Sequence, residues 1–188
     1  MSVGTEKIEA AARGVFPKAE IARMDSDTMT SKDSYRVVLD AFRAGRIDIL
    51  IGTQMIAKGL DFPNVTLVGI IQADSGLYLP DFRSGERTFQ LITQVSGRAG
   101  RGEVDGHVIL QTYTPYHFAL QTAIRHDFTA FYAEEFPSRQ ALAFPPCTRM
   151  VIVHFRSTEF ELARQAAEEF AAETTPLLPE GTQVIGPM

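Results

Sequence analysis

Near-continuous apolar runs, each closed by glycine or a polar residue, recur through the first two-thirds of the chain and limit what it can fold into. Ile47 to Ile51 ends at Gly52, and Val65 to Ile71 ends near Asp74. Ala19 to Met24 is a shorter run, and His107 to Thr112 follows Gly106. Runs of this length with no polar alternation read as strands buried on both faces, the habit of parallel sheets. Helical patterns lie between them. Thr5 to Ala12 places Ile8, Ala11 and Ala12 at helical spacing, with Thr5 as the expected N-cap and Gly14 and Pro17 ending the helix. Ser31 to Ala44 carries Tyr35, Val38, Leu39 and Phe42 on one stripe and is closed by Gly45. Strand alternating with helix predicts an α/β fold, a parallel sheet covered by helices on both faces. Ligands then bind beyond the carboxyl ends of the strands. Thr53, Asp61 and Asp74 each follow a strand directly and stand where chemistry is expected.

The most informative polar pattern is Gln94-Val95-Ser96-Gly97-Arg98-Ala99-Gly100-Arg101. If helical, its two arginines share one face. Glycines there allow a ligand close to the backbone, and the guanidinium fork suits phosphate oxygens. The same residues also suit a helix C-terminus, with Gly100 or Gly102 as cap and the arginines offsetting the dipole. Phosphate recognition accounts for Gln94 and the repeat as well, whereas capping does not need them. Asp25-Ser26-Asp27-Thr28 hints at a metal loop, but no glycine or later glutamate completes one, so a loop-and-cap role is expected.

Beyond residue 112, Tyr116 to Phe136 reads as helical and amphipathic, with Phe118, Leu120, Phe128, Phe131 and Phe136 packing inward. Pro137 and Pro145-Pro146 mark a boundary. Met150 to Phe155, Glu159 to Glu173 and Gln183 to Ile185 form a strand-helix-strand unit too small to close its own core, so the chain is expected to stop inside a domain. Composition bounds the rest. With 45% hydrophobic and 22% charged residues in 188, the chain is ordinary for a globular protein. A net charge of −5 requires any nucleic-acid contact to be made by a local patch. No apolar run spans a membrane, and the single Cys147 offers no disulfide or metal cluster, which fits a cytoplasmic protein.

Ile49 to Val65 resembles motif V of superfamily 2 helicases, and Gln94 to Arg101 resembles motif VI. The wording between them is narrower. Gly52-Thr53-Gln54-Met55, Lys58-Gly59 before Asp61-Phe62-Pro63, and Asp81-Phe82-Arg83 with Glu86-Arg87 resemble the primosomal replication-restart helicases. Phe144-Pro145-Pro146 and Val184-Ile185-Gly186-Pro187 resemble the C-terminal domain of the same family. The resemblance implies a RecA-like second helicase lobe over residues 1–136 and the first part of an α+β C-terminal domain over 137–188. It implies an ATP-dependent DNA helicase that recognises stalled or abandoned forks and initiates primosome assembly. Arg98 and Arg101 would reach the ATP phosphates, with Gln94 ordering that surface. Gly59 and Asp61 would lie near the nucleotide, and Thr53, Gln54 and Lys58 against the DNA backbone. Single-stranded and forked DNA, primosome proteins and single-stranded DNA-binding protein are the implied partners.

No phosphate loop and no Asp-Glu-x-His magnesium motif occurs in the chain, so ATP and magnesium are expected to be bound mainly by a lobe outside it. The family's zinc-binding cysteines are absent too, together with the strand that precedes them. This polypeptide alone is therefore expected to be inactive. Cys147 replaces a usual aromatic or aliphatic residue and is expected to pack. Two other readings stay open: a lobe of another superfamily 2 enzyme, such as a branch-migration or RNA helicase, or a non-catalytic nucleotide- or partner-binding domain.

Overall fold

The structure is a computed structural model that describes residues 4–25, 28, 32–53, 64–97 and 106–187. The chain divides into two compact units, up to Phe144 and from Pro145. In the first unit the order is α1 (Thr5–Val15), β1 (Ile21–Met24), α2 (Lys32–Arg43), β2 (Ile49–Gly52), β3 (Leu67–Ile70), α3 (Ser84–Ser96), β4 (His107–Leu110), α4 (Phe118–Ile124) and α5 (Phe128–Ala141). The second unit holds α6 (Phe160–Thr174) and a 3₁₀ turn at Thr175–Leu177.

The four strands among the described residues pair in parallel, as the apolar runs predict, and the fold class is α/β. The pairing is β1 with β2, Met24 opposite Gly52, and β3 with β4, Ile70 opposite Leu110. Among the described residues these are two two-stranded sheets. On the β3–β4 sheet one face is the better covered among the described residues. β3 turns Val68 and Ile70 inward, while Leu67 on its other face is 59% exposed and Ile109 of β4 is 62% exposed. The covered face lies against α3, α4 and α5. There Ala73, Phe89, Ile92, Ala119, Leu120, Ala123 and Phe131 form one buried cluster. Phe131 stacks on Phe89 at 4.5 Å and on Phe118 at 5.7 Å. Fully burying a side chain such as Leu120 contributes about 1.5–3 kcal/mol, so this cluster dominates the unit.

Three local expectations fail for identifiable reasons. Thr5 does not cap α1: Gly4 is the N-cap, and the Thr5 hydroxyl donates to Asp25. The region 116–136 is helical as expected, in two helices, because His126 adopts φ 53° and Asp127 restarts the chain by capping the Ala130 N–H at 2.9 Å. Phe128 is therefore turned outward and exposed. Pro137 lies inside α5 and ends nothing. Pro137 costs the helix a hydrogen bond, but tertiary ties grip α5 on both sides of it, Phe131 before and Arg139 after.

In the second unit, α6 half-buries Ala163, Ala167 and Ala171, and Phe155 packs against Phe170 at 5.5 Å. Met150–Phe155 and Gln183–Ile185 form no ladder, against expectation. Ladder strands need a hydrogen-bonded neighbour, and two short segments with one helix do not make a self-sufficient sheet. No described residue of this unit is buried, and Cys147 is exposed rather than packed.

Candidate functional site

Parallel pairing brings the carboxyl ends of the strands to common edges. One residue beyond the paired Met24 and Gly52 lie Asp25 and Thr53. Thr53 is exposed, its hydroxyl available at the end of β2. Asp25 is buried and fully engaged. Its Oδ1 accepts the Thr28 N–H at 2.9 Å, the Thr28 hydroxyl accepts the Asp25 N–H at 3.1 Å, and Thr5 donates to Oδ2. Arg23 Nε lies 3.4 Å from that oxygen and 3.4 Å from Glu9 of α1. The Thr5 hydroxyl above all, then Thr28 and the Arg23 guanidinium, outweigh burial and bring the Asp25 carboxyl down to about 2. The expected loop-and-cap role therefore falls on Asp25, which fastens α1 to the end of β1.

At the other edge Asp74 is 4% exposed. Its Oδ2 accepts the Tyr113 N–H at 2.9 Å and the Thr114 hydroxyl at 3.4 Å. Burial pushes its pKa up, but these bonds and those of Thr112 and its own amide outweigh it and leave the carboxyl below its ordinary value. A carboxylate whose lone pairs are filled in this way holds two loops together. Oδ2 is thereby committed to the Tyr113 amide and the Thr114 hydroxyl. Asp74, expected to stand where chemistry occurs, ties neighbouring segments together there.

α3 leads to the arginine array. Its start is ordered by Asp81, which accepts the Arg83 N–H at 2.9 Å and pairs with Arg87 at 2.8 Å. Gln94 is half-buried in the last turn. Gly97 is the C-cap of α3, its N–H donating to Thr93 O at 3.2 Å; Gly100 and Gly102, the expected caps, lie outside the described residues. Arg98 and Arg101 lie outside the described residues, as do Gln54, Lys58, Gly59 and Asp61. Of the expected site residues, then, Thr53 and Gln94 are described, one at the end of a strand and one at the end of a helix.

A cavity of about 360 Å³ lies against the C-terminal half of α3, between it, β4 and α4. Among the described residues, Ile92, Val108, Leu110, Leu120 and Ile124 line it, with Ser96, Thr112, Gln121 and His126 as the polar members. Such a lining suits an apolar group held by a few polar anchors. Among the described residues no cluster of three His, Cys, Asp or Glu could hold a metal ion, and no helix is long and apolar enough to cross a membrane.

Residues 4–103, from the start of α1 through the arginine array, match the profile of the helicase conserved C-terminal domain. The chain belongs to this helicase domain family. Across 184 residues it is 48% identical to the replication restart protein PriA of Bacillus subtilis, covering 98% of this chain and 23% of that protein. It is 48% identical to the PriA of Treponema pallidum over 185 residues, with 98% and 28% covered. The PriA of Synechocystis is 43% identical over 184 residues, with 98% and 22% covered. The helicase-domain chain thus spans about a quarter of the length of these relatives.

Several residues that shape the helicase domain escaped the sequence reading. Arg139 joins Glu86 of α3 to Glu135 of α5. The Glu135–Arg139 spacing of four was a readable helical pair, but its partner 53 residues upstream was not. His117 caps α4 by accepting the Ala119 N–H on Nδ1 at 3.2 Å. Burial pushes its pKa below the ordinary 6.5, against a smaller upward pull from Glu135.

Proposed function

We propose that this chain is the second RecA-like lobe, with the beginning of a C-terminal domain, of an ATP-dependent DNA helicase that acts at stalled or abandoned replication forks and starts replication restart. The observation that carries the reading is the helicase-domain match over residues 4–103, which includes the Gln94–Arg101 array. The high identity to replication restart proteins over nearly the whole chain supports the narrower assignment.

In this reading Arg98 and Arg101 extend beyond the cap of α3 toward ATP bound mainly by another lobe, and Gln94 orders the surface between. Phosphoryl transfer needs positive charge placed in advance against developing negative charge, and an arginine fork supplies it without rearrangement. Gly59 and Asp61 adjoin the nucleotide. Thr53, Gln54 and Lys58 touch the backbone of single-stranded DNA, which positions the strand without reading its bases. Opening and closing of two lobes around ATP converts hydrolysis into stepping. Magnesium accompanies ATP on the other lobe, and zinc belongs to cysteines outside this chain. Forked and single-stranded DNA, primosome proteins and single-stranded DNA-binding protein are the partners, in the cytoplasm. The first unit is the lobe and the second the start of the C-terminal domain.

The test is Arg101→Ala in the full-length protein. An arginine acting on the transition state is worth on the order of 10³–10⁵ in rate, whereas a dipole-capping arginine contributes about 0.3–1 kcal/mol of stability. DNA-stimulated ATP hydrolysis should all but vanish, with folding and DNA affinity near normal. The 188-residue chain by itself should show no DNA-stimulated turnover. Retained turnover in Arg101→Ala with a lowered melting temperature would favour the capping role instead.

A further inference from the structure

The Asp81–Arg87 stretch identifies the family in sequence, yet the proposed chemistry gives it no task. Its geometry does. Arg139 is 11% exposed, and its Nη2 lies 2.8 Å from Glu86 Oε2 in the first turn of α3. The same nitrogen lies 2.9 Å from Glu135 Oε1, and Nε donates to that oxygen at 3.0 Å. The guanidinium also sits 5.4 Å from the centre of the Phe82 ring, which stacks on Phe144 at 5.1 Å. Gly85 completes the contact: a Cβ there would meet Glu135 Oε2 at 3.3 Å, so the first turn of α3 is pressed against α5. One turn further, Phe89 stacks on Phe131. α3 is thus bolted to α5 at its beginning; its other end carries Gln94 and closes at Gly97, one residue before Arg98 in sequence.

A largely enclosed ion cluster adds little net stability, because desolvation offsets most of the attraction. The neighbouring apolar cluster already supplies cohesion. What two carboxylates around one planar fork do supply is direction, since each hydrogen bond fixes an angle as well as a distance. The arginine's affinity for its proton is raised by those carboxylates, Glu135 foremost, in spite of burial. Its charge is therefore permanent.

We propose that Arg139 is a positioning residue for the arginines beyond α3, fixing the tilt of that helix on α5 through Glu86, Glu135 and Phe82. The proposal rests on the reading that Arg98 and Arg101 act on ATP. Leverage makes it consequential. Glu86 and Gly97 are eleven residues apart, or about 16 Å along the axis at about 1.5 Å per residue. A tilt of about 4° at the first turn then shifts the far end by about 1 Å over that length. Misplacement by about 1 Å from a distant change can cost on the order of 100-fold in rate.

The experiment compares Glu86→Ala, Arg139→Lys and Arg101→Ala in the full-length protein. Alanine suits a helix at position 86, and lysine keeps the charge but cannot bridge two carboxylates. Both clasp variants should lower kcat for DNA-stimulated ATP hydrolysis by about 10- to 100-fold, with KM for ATP and Kd for single-stranded DNA within about twofold. The deficit should persist well below the melting temperature of each variant, where all molecules are folded. Turnover within twofold of wild type in both variants, or a deficit that disappears on cooling, overturns the positioning role. Normal turnover in Arg101→Ala defeats instead the underlying reading of the arginines.

Discussion

Asp74→Ala separates a fastening acid from a reactive one. The carboxylate accepts the Tyr113 N–H at 2.9 Å and the Thr114 hydroxyl at 3.4 Å while 4% exposed. Hydrogen bonds to a charged group contribute about 1.5–3 kcal/mol, and the threonine hydroxyl, able to rotate to another acceptor, adds about 1 kcal/mol or less. Removing the acceptor should cost about 2–4 kcal/mol, which for a chain of this length lowers Tm by roughly 5–15 °C. The assay is thermal and urea denaturation of the chain followed by circular dichroism. Asp74→Asn keeps one acceptor oxygen and loses the charge, so it should fall between alanine and wild type at pH 7. Because the folded pKa is below the ordinary 3.8, the stability from the charge is fully present above that value and is lost as pH falls through the folded pKa. The gap between wild type and Asp74→Asn should therefore close below about pH 4. A Tm for Asp74→Ala within 2 °C of wild type would refute the fastening role. So would Asp74→Asn abolishing ATP hydrolysis in the full-length protein at unchanged stability.

Gly76→Ala would put a Cβ 2.9 Å from the Oγ1 of buried Thr88, a stiff β-branched side chain on α3, and should cost about 1–3 kcal/mol in urea denaturation. His117 caps α4 as a neutral acceptor with a folded pKa below 6.5, so its contribution is complete above 6.5 and lost as pH falls through the folded pKa; between pH 7 and 5, wild type should lose more Tm than His117→Asn, which keeps an acceptor. In the full-length protein Thr53→Ala should weaken single-stranded DNA binding equally for different sequences, measured by fluorescence anisotropy, because a hydroxyl at a phosphate reads no base.

What was legible in the sequence followed from local rules. The stripe of α2 buries Leu39 and half-buries Tyr35, Val38 and Phe42, and Gly45 closes that helix at φ 68°, the conformation glycine adopts without strain. The apolar runs at 49–52 and 67–70 are parallel strands. Illegible features were those decided by partners distant in the chain. Nothing near Pro137 announces that α5 continues through it, because the ties that hold it reach Phe89 and Glu86 of another helix. Nothing near Asp74 announces that the amide of Tyr113 will fill its lone pair.

The same distinction sorts the polar residues by role. Acids at the carboxyl edges look alike in sequence, each following an apolar run, yet Asp25 and Asp74 are both buried and satisfied by donors from neighbouring segments. A satisfied buried carboxylate is a structural part, since reaction or ligand binding would need it to give up bonds that hold loops. Thr53, at the equivalent place after β2, is exposed instead. The polar groups that fix the scaffold are therefore enclosed and paired, from Thr5–Asp25 at the first strand to Glu86–Arg139 at α3. That enclosure lets an exposed hydroxyl at one strand end, and a helix end at Gly97, be presented in fixed directions without being consumed by the fold. In the proposed role, receiving phosphates held largely by another lobe, that arrangement would serve: rigid behind, open in front.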